Sequence, residues 1–264
     1  MERAADLLFL IAEKEEASLT ELARAIGSSG SAVHRILTAL KNKGLIQQAE
    51  ENGPYTLSWS ILGLTQRLTA RADLRTISRP HMVALRDLTE ETVTLNVRSG
   101  FDRVCIDYVE GIHEVRWHQN IGQISPFYAG ATGKALMAYL SADELKDFFR
   151  TVKLRKITPY TMTKRDEILA ELESIRAQGY STGTQDRVLG VAAMAAPIFN
   201  PPGRASATLT IAGPSERCSP ARLKEWATPL TEATRKISEQ VFEASMGPDD
   251  EESEPAMVSS AGRR

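Results

Sequence analysis

The chain has 264 residues, 42% of them hydrophobic, a net charge of −2 at pH 7 and only two cysteines, Cys105 and Cys218. That apolar share can fill at least one ordinary core, which excludes a disordered chain and leaves room for one large domain or two smaller ones. No apolar run approaches the roughly 18 residues of a membrane span, and without CxxC spacing or a histidine cluster neither a disulfide framework nor a metal site is expected.

The opening "MERAADLLFLIAEKEE" carries acidic groups inside a short amphipathic pattern, unlike a cleavable signal, so a cytoplasmic location is expected. Both cysteines read as small buried hydrophobes. Ala4, Leu7, Leu8 and Ile11 recur at helical spacing and mark a first helix. Ser18 and Glu21 form a capping box at the start of a second, with Leu22 and Ile26 as its buried stripe and Gly27 as its stop. After "GSSG", Val33, Ile36, Leu37 and Leu40 predict a third helix over about 29–43, and two short helices joined by a glycine-containing turn read as helix-turn-helix.

Charge distribution says more here than the sum. Residues 1–57 hold six Lys/Arg against eight Asp/Glu, yet no acidic residue occurs from Leu22 through Ala49, an interval that contains Arg24, His34, Arg35, Lys41 and Lys43. That is a basic face on a weakly acidic body. Opposite the third helix's apolar stripe lie Ser31, Arg35 and Thr38, with His34 at the margin; arginine can pair bidentately with guanine, and hydroxyls reach bases or phosphates. "LIQQAEENGPYTL" predicts a wing hairpin, which completes a winged helix-turn-helix. A small helical core on which Arg35 is merely a solvated charge is the bland alternative.

From Ser58, "WSILGLTQRLTARADL" predicts a linker helix with Ile61, Leu64 and Leu68 as a narrow seam, suited to packing on a partner protomer or back onto the chain. A dimer places two recognition helices on a palindrome. From about Asp73 the pattern mixes helix and strand. "ETVTLNVRSG", "DRVCIDYVEG" and "EVRWHQNIG" predict three strands, followed by helices beginning near Thr132, at the Ser141/Glu144 capping box and at Thr163. "GYSTGTQD", "VAAMAAPIF" and "ASATLTIAG" predict three more strands, and Ser219-Pro220 opens a last helix with Leu223, Trp226, Leu230, Ile237 and Val241 on one side. Strands, helices, strands and helix make an α+β domain built on an antiparallel sheet. The tail "GPDDEESEPAMVSSAGRR" has little to bury and is expected to be disordered.

Within this domain "GATGKALMAYL" superficially suggests a phosphate-binding loop, but Tyr128 and Ala135 stand where that loop needs a glycine and a hydroxyl. A glycine-rich start to a helix remains a place to hold an anion.

In "SSGSAVHRILTALKNKGLI", "ATGKALMAYL", "GVAAMAAPIF" and "TIAGP", each in the expected order, the chain resembles the IclR family of bacterial transcriptional regulators over Arg3 to about Glu243. The resemblance implies a winged helix that binds double-stranded promoter DNA (residues 1–57), a linker helix (58–73), a GAF-like domain that binds a small organic molecule (74–245) and homodimers that pair into dimers of dimers. It implies no cofactor, and residues 246–264 are left as an acidic tail.

The family's recognition helix usually reads Lys-Ser-Thr-Val-His-Arg where this chain has Gly30 through Arg35. Ser31, His34 and Arg35 carry over, Arg35 as the main base contact; Thr20 and Lys43 are the expected backbone anchors. Gly30 and Ala32 depart from the pattern and remove a cation and a hydroxyl. For the effector, a carboxylate, the expected contacts are Ala131, Thr132 and Gly133 at the helix start, and Gly183, Ala193, Thr210 and Ala212 on the sheet. The sheet positions match acid, cysteine and serine positions of members that resemble regulators of two- or three-carbon acids. The smaller, less polar set here predicts a roomier, more apolar pocket for a larger acid, with Trp117 as a wall or else a core residue, and Gly183 as a contact or else a turn. Lys134 is expected at the surface.

An enzyme with an N-terminal helical appendage is the rival class. His81, His113 and His118 stand beside no nucleophile motif, and "GPSERC" lacks the second glycine of a nucleophile elbow, so no catalytic residue is assigned.

Overall fold

The computed structural model describes residues 2–50, 53–64 and 73–246, and the chain divides between residues 72 and 73 into two compact units.

In the first unit, α1 (Glu2–Lys14), α2 (Leu19–Ala25) and α3 (Gly30–Asn42) are joined by a three-stranded sheet of β1 (Glu16–Ala17), β2 (Ile46–Gln48) and β3 (Tyr55–Leu57), in the order β1-β3-β2. Leu7, Ile11, Leu22, Val33, Leu37, Leu40, Ile46 and Tyr55 share one core. The capping box forms as its spacing predicts: the Glu21 amide donates to Ser18 Oγ at 3.3 Å, and the Ser18 amide donates to Glu21 Oε2 at 2.9 Å. Ser29 caps α3 by accepting from the Ala32 amide at 3.3 Å. β2 and β3 make the wing, with Gln48 opposite Tyr55. The expected linker helix is helical at 61–64, and its continuation over 65–72 lies outside the described residues, as does the tail from 247.

The second unit runs α4 (Asp73–Thr89), β4 (Thr92–Ser99), β5 (Asp102–Val109), β6 (Ile124–Pro126), α5 (Ala131–Met137), α6 (Ala142–Thr151), α7 (Arg165–Gln178), β7 (Ser181–Thr184), β8 (Val191–Phe199), β9 (Ala205–Pro214) and α8 (Pro220–Met246). Its six strands form one antiparallel sheet in the order β6-β5-β4-β9-β8-β7, which bears out the α+β reading.

Strand alternation splits the sheet residues between two faces. Val93, Leu95, Met194, Ala196, Leu209 and Ile211 pack against Met82 and Leu85 of α4 and Leu223, Trp226, Leu230 and Ile237 of α8. Ala193 and Ala195 point the other way, against Ala131 and Ala135 of α5. A further apolar cluster joins α5, α6 and α7 through Leu136, Met137, Phe148, Leu172 and Ile175. Among the described residues no helix is long and apolar enough to cross a membrane.

Two stretches differ from expectation. α4 was not anticipated, because Pro80 lies inside it and five arginine and aspartate residues break its periodicity. "EVRWHQNIG" is not a strand. Side chains hold this segment instead of a ladder: Arg116 donates to the carbonyls of His113 and Glu114, Arg217 to that of Val115 at 2.8 Å, and Thr92 to that of Trp117 at 2.6 Å. β6 begins only afterwards, at Ile124.

Candidate functional site

Two surfaces carry chemistry, one in each unit. On α3, Val33, Leu37 and Leu40 are buried, so helical spacing turns Ser31, His34 and Arg35 to solvent, where all three are exposed. Thr20 and Lys43 are exposed as well. Thr38 spends its hydroxyl on its own helix, donating to the His34 carbonyl at 2.8 Å. Lys41 is tied to the wing, its Nζ donating to Gln48 Oε1 at 3.1 Å. Arg35 on α3, Lys43 just beyond its end and Ser31, whose hydroxyl shares a 3.3 Å hydrogen bond with Ser29 Oγ, are thus exposed with His34 beside them.

In the second unit a cavity lies between the sheet and the start of α5. Antiparallel register assembles its floor: Gly183 pairs with Ala193, Ala193 with Ala212, Ala212 with Thr92, and Thr210 with both Ala195 and Thr94. Directly paired residues face the same side of a sheet, so Gly183, Ala193, Thr210 and Ala212 come together. Ala131, Thr132 and Trp117 join them in the lining. Thr132 and Thr210 share a hydrogen bond between hydroxyls at 2.9 Å.

Gly133 does not line this cavity. A Cβ there would collide with the Phe127 backbone, so its glycine serves close packing. Gly183 sits in β7 rather than in a turn, and a Cβ would lie 2.6 Å from Asp186 Oδ1 and 2.9 Å from the Ala131 amide nitrogen. The absent side chain lets Asp186 reach α5.

The anion at the start of α5 is supplied by the chain itself. Asp186 Oδ2 accepts from the Gly130 amide at 3.2 Å and lies 3.3 Å from Lys134 Nζ, which also donates to Glu171 at 3.1 Å. Lys134, expected at the surface, is only 3% exposed. Its neighbours explain this, since two carboxylates repay part of the cost of burying an ammonium group. Asp186 is held in place from behind: Thr161 donates to its carbonyl at 2.6 Å, and Thr158 to that of Gln185 at 2.7 Å.

The cavity is narrow rather than roomy, and its lining is mostly apolar surface with four further polar side chains set into it. Arg103, Gln119, Asp186 and Arg187 also line it, and the remaining volume is about 30 Å³, near that of one water molecule. Arg187 stands over the Trp117 ring, 5.9 Å from its centroid, and lines the cavity beside Gly183, Ala193 and Ala212. Arg103 lies 2% exposed on β5; its NH1 donates to Asn96 Oδ1 at 3.1 Å, which also accepts from Gln119 Nε2 at 3.3 Å. Burial, and then the charge of Arg187, lower the Arg103 guanidinium to about 9. These four polar residues went unrecognised in the sequence. A buried arginine at an alternating position of "DRVCIDYV" was the available signal.

A larger open groove of about 480 Å³ runs beside α8 between Tyr139, Phe199 and Phe242, where Arg235 and Glu239 pair with each other at 2.7 Å. Both cysteines are buried, and desolvation pushes Cys105 up to about 11 and Cys218 up to about 12. Neither suits a nucleophile, which acts as thiolate.

Comparison with known proteins agrees with this architecture. Residues 1–50 match the IclR helix-turn-helix domain, and residues 66–239 match the bacterial transcriptional regulator IclR C-terminal domain. The HTH-type transcriptional regulator KdgR of Escherichia coli K12 is 32% identical over 89% of each chain. BhcR of Paracoccus denitrificans is 30% identical over 90% of this chain and 85% of its own. Among solved structures, the Thermotoga maritima IclR superposes with a TM-score of 0.71 at 27% identity, covering 91% of this chain and 98% of that one. An IclR homolog complexed with 4-hydroxybenzoate, from Microbacterium hydrocarbonoxydans, shares the fold at a TM-score of 0.77 and 18% identity, over 92% and 98% of the two chains. With one family domain matched at each end and the winged helix and six-stranded sheet in place, the chain belongs to the IclR family of bacterial transcriptional regulators.

Proposed function

We propose that this regulator binds double-stranded promoter DNA through residues 1–57 and that a small carboxylate in the cavity of residues 74–245 alters that affinity. The observation that carries the DNA half is the exposure of Ser31, His34 and Arg35 on the face of α3 opposite its buried stripe. Arg35 reads a base edge, Ser31 and His34 contact bases or phosphates, and Thr20 and Lys43 anchor the backbone. Gly30 leaves that end of α3 with one cation fewer than the family pattern, which lowers the number of phosphate contacts.

For the effector half, Thr132, Gly183, Ala193, Thr210, Ala212, Ala131 and Trp117 meet in one cavity. The Microbacterium homolog complexed with 4-hydroxybenzoate lends support to an acid with an aromatic body. Trp59 and Leu64 are 79% and 62% exposed at the head of residues 58–73, which favours a homodimer joined there; pairing of such dimers rests on the family resemblance alone. An effector changes DNA affinity only as far as it binds two arrangements of the dimer differently.

Fluorescence anisotropy on the protein's own upstream duplex, with and without 4-hydroxybenzoate, benzoate and pyruvate, tests the coupling. A shift of roughly 5- to 150-fold in DNA affinity with at least one acid is expected. Unchanged DNA affinity with every acid that binds would overturn the effector role.

A further inference from the structure

We infer that Arg103 is the cavity's carboxylate receptor, with Arg187 as a second cation at its mouth, and that the ligand binds as a monoanion. This rests on the effector reading above and names the ligand's charge and the group that meets it.

Arg103 is among the largest fully buried side chains of the protein. Burying a guanidinium charge is costly unless a carboxylate and further hydrogen bonds repay it. Among the described residues Arg103 makes no ion pair, and its Nε has no hydrogen-bond partner. The carboxylate lining the same cavity, Asp186, is engaged by the Gly130 amide and Lys134. Arg187 is likewise without an ion pair among the described residues, and its charge bears on Arg103. Asp186 is the carboxylate whose charge both guanidinium groups feel, and two such forks around one cavity suit a further anion.

Charge sets the valence. Arg103, Arg187 and Lys134 against Asp186 and Glu171 leave one positive charge at the site, and one carboxylate balances it. Packing sets the shape: with about 30 Å³ free, a ligand fits only if Arg187 leaves the face of Trp117. A flat or narrow apolar body then takes that place on the indole, against Val188, Val191 and Ala193. Asn96, held by Gln119 as well as Arg103, keeps the Arg103 fork in position while Nε remains free.

The test is calorimetry on the full-length protein with matched acids and amides: benzoate and benzamide, phenylacetate and phenylacetamide, hexanoate and hexanamide. At least one acid is expected to bind about 30-fold or more tightly than its amide, and Arg103→Met is expected to weaken that acid by a similar factor. Arg103→Met should also raise the thermal midpoint of the ligand-free protein, because it removes a buried unpaired charge; an arginine kept only for packing would lower it. Should that variant fail to fold, Arg187→Gln is read instead, with about tenfold weaker acid binding expected. Amides that bind as well as acids, acid binding unchanged in a folded variant, or no acid binding at all would overturn the assignment. An acid that binds through Arg103 yet leaves promoter affinity unchanged would instead sink the effector reading and leave the receptor standing.

Discussion

Asp186 Oδ2 accepts a hydrogen bond from the Gly130 amide at 3.2 Å, so a carboxylate from the chain's own β7–β8 connection occupies the start of α5. The same oxygen lies 3.3 Å from buried Lys134, and one side chain thereby ties the sheet edge to the helix covering it. A carboxylate ligand of the kind proposed would meet a place already filled there and would need its partner elsewhere in the cavity.

Asp186→Asn keeps an acceptor for Gly130 but leaves Lys134 with Glu171 alone. The expected cost is about 1–3 kcal/mol of stability, the scale of a weakened buried polar contact, read from the denaturant midpoint. The cavity becomes one charge more positive, so benzoate should protect the variant more than wild type. An unchanged midpoint would mean that Asp186 bears no structural load.

Gly183→Ala places a methyl 2.6 Å from Asp186 Oδ1 and 2.9 Å from the Ala131 nitrogen. Backbone on one side and a fixed carboxylate on the other leave little room to yield, and overpacking of this kind costs about 1–3 kcal/mol. A lower thermal midpoint and the loss of any acid-induced stabilisation are expected. A crystal structure of a variant with wild-type stability and an undisplaced Asp186 would contradict the packing account.

The thiols predict a pH dependence. Burial raises Cys105 and Cys218 from 9.0 to about 11 and about 12, so the unfolded chain releases its thiol protons first as pH rises. Their contribution is full below pH 9 and is lost as pH climbs through the folded values, so stability should fall from pH 9 upwards. At pH 8 burial keeps Cys105 in its thiol form. A thiol reagent should therefore label both cysteines only on unfolding; prompt labelling of the native protein would refute the burial.

Local chemistry was legible in the sequence. Ser18 with Glu21 and Ser141 with Glu144 form their capping boxes as spaced, because a cap needs only four consecutive residues. The buried stripes of α3 and α8 follow from helical period alone. Gly183, Ala193, Thr210 and Ala212 were brought together by resemblance, and the register explains why they meet. Arg103, Asp186 and Arg187 were not foreseen, because their places depend on contacts across long separations. The β4–β5 register with its shift at Leu95/Asn96 turns Arg103 inward, and Thr158 and Thr161 clamp a loop whose Gln185 has a φ of 58°. Residues 114–122 looked extended because nothing in their period reveals that Arg217, a hundred residues later, takes the Val115 carbonyl.

On the reading proposed here, Arg35 and its neighbours on the exposed face of α3 read promoter DNA. Fluorescence anisotropy across a salt series, on the upstream duplex and a scrambled one, tests it most directly. Wild type should prefer the upstream duplex. Arg35→Ala should lose that preference by about tenfold or more, while Lys43→Ala weakens both duplexes alike and lowers the salt slope by about one. An Arg35→Ala protein that keeps the full preference, or a wild type that binds neither duplex with or without an acid that occupies the cavity, would contradict the account.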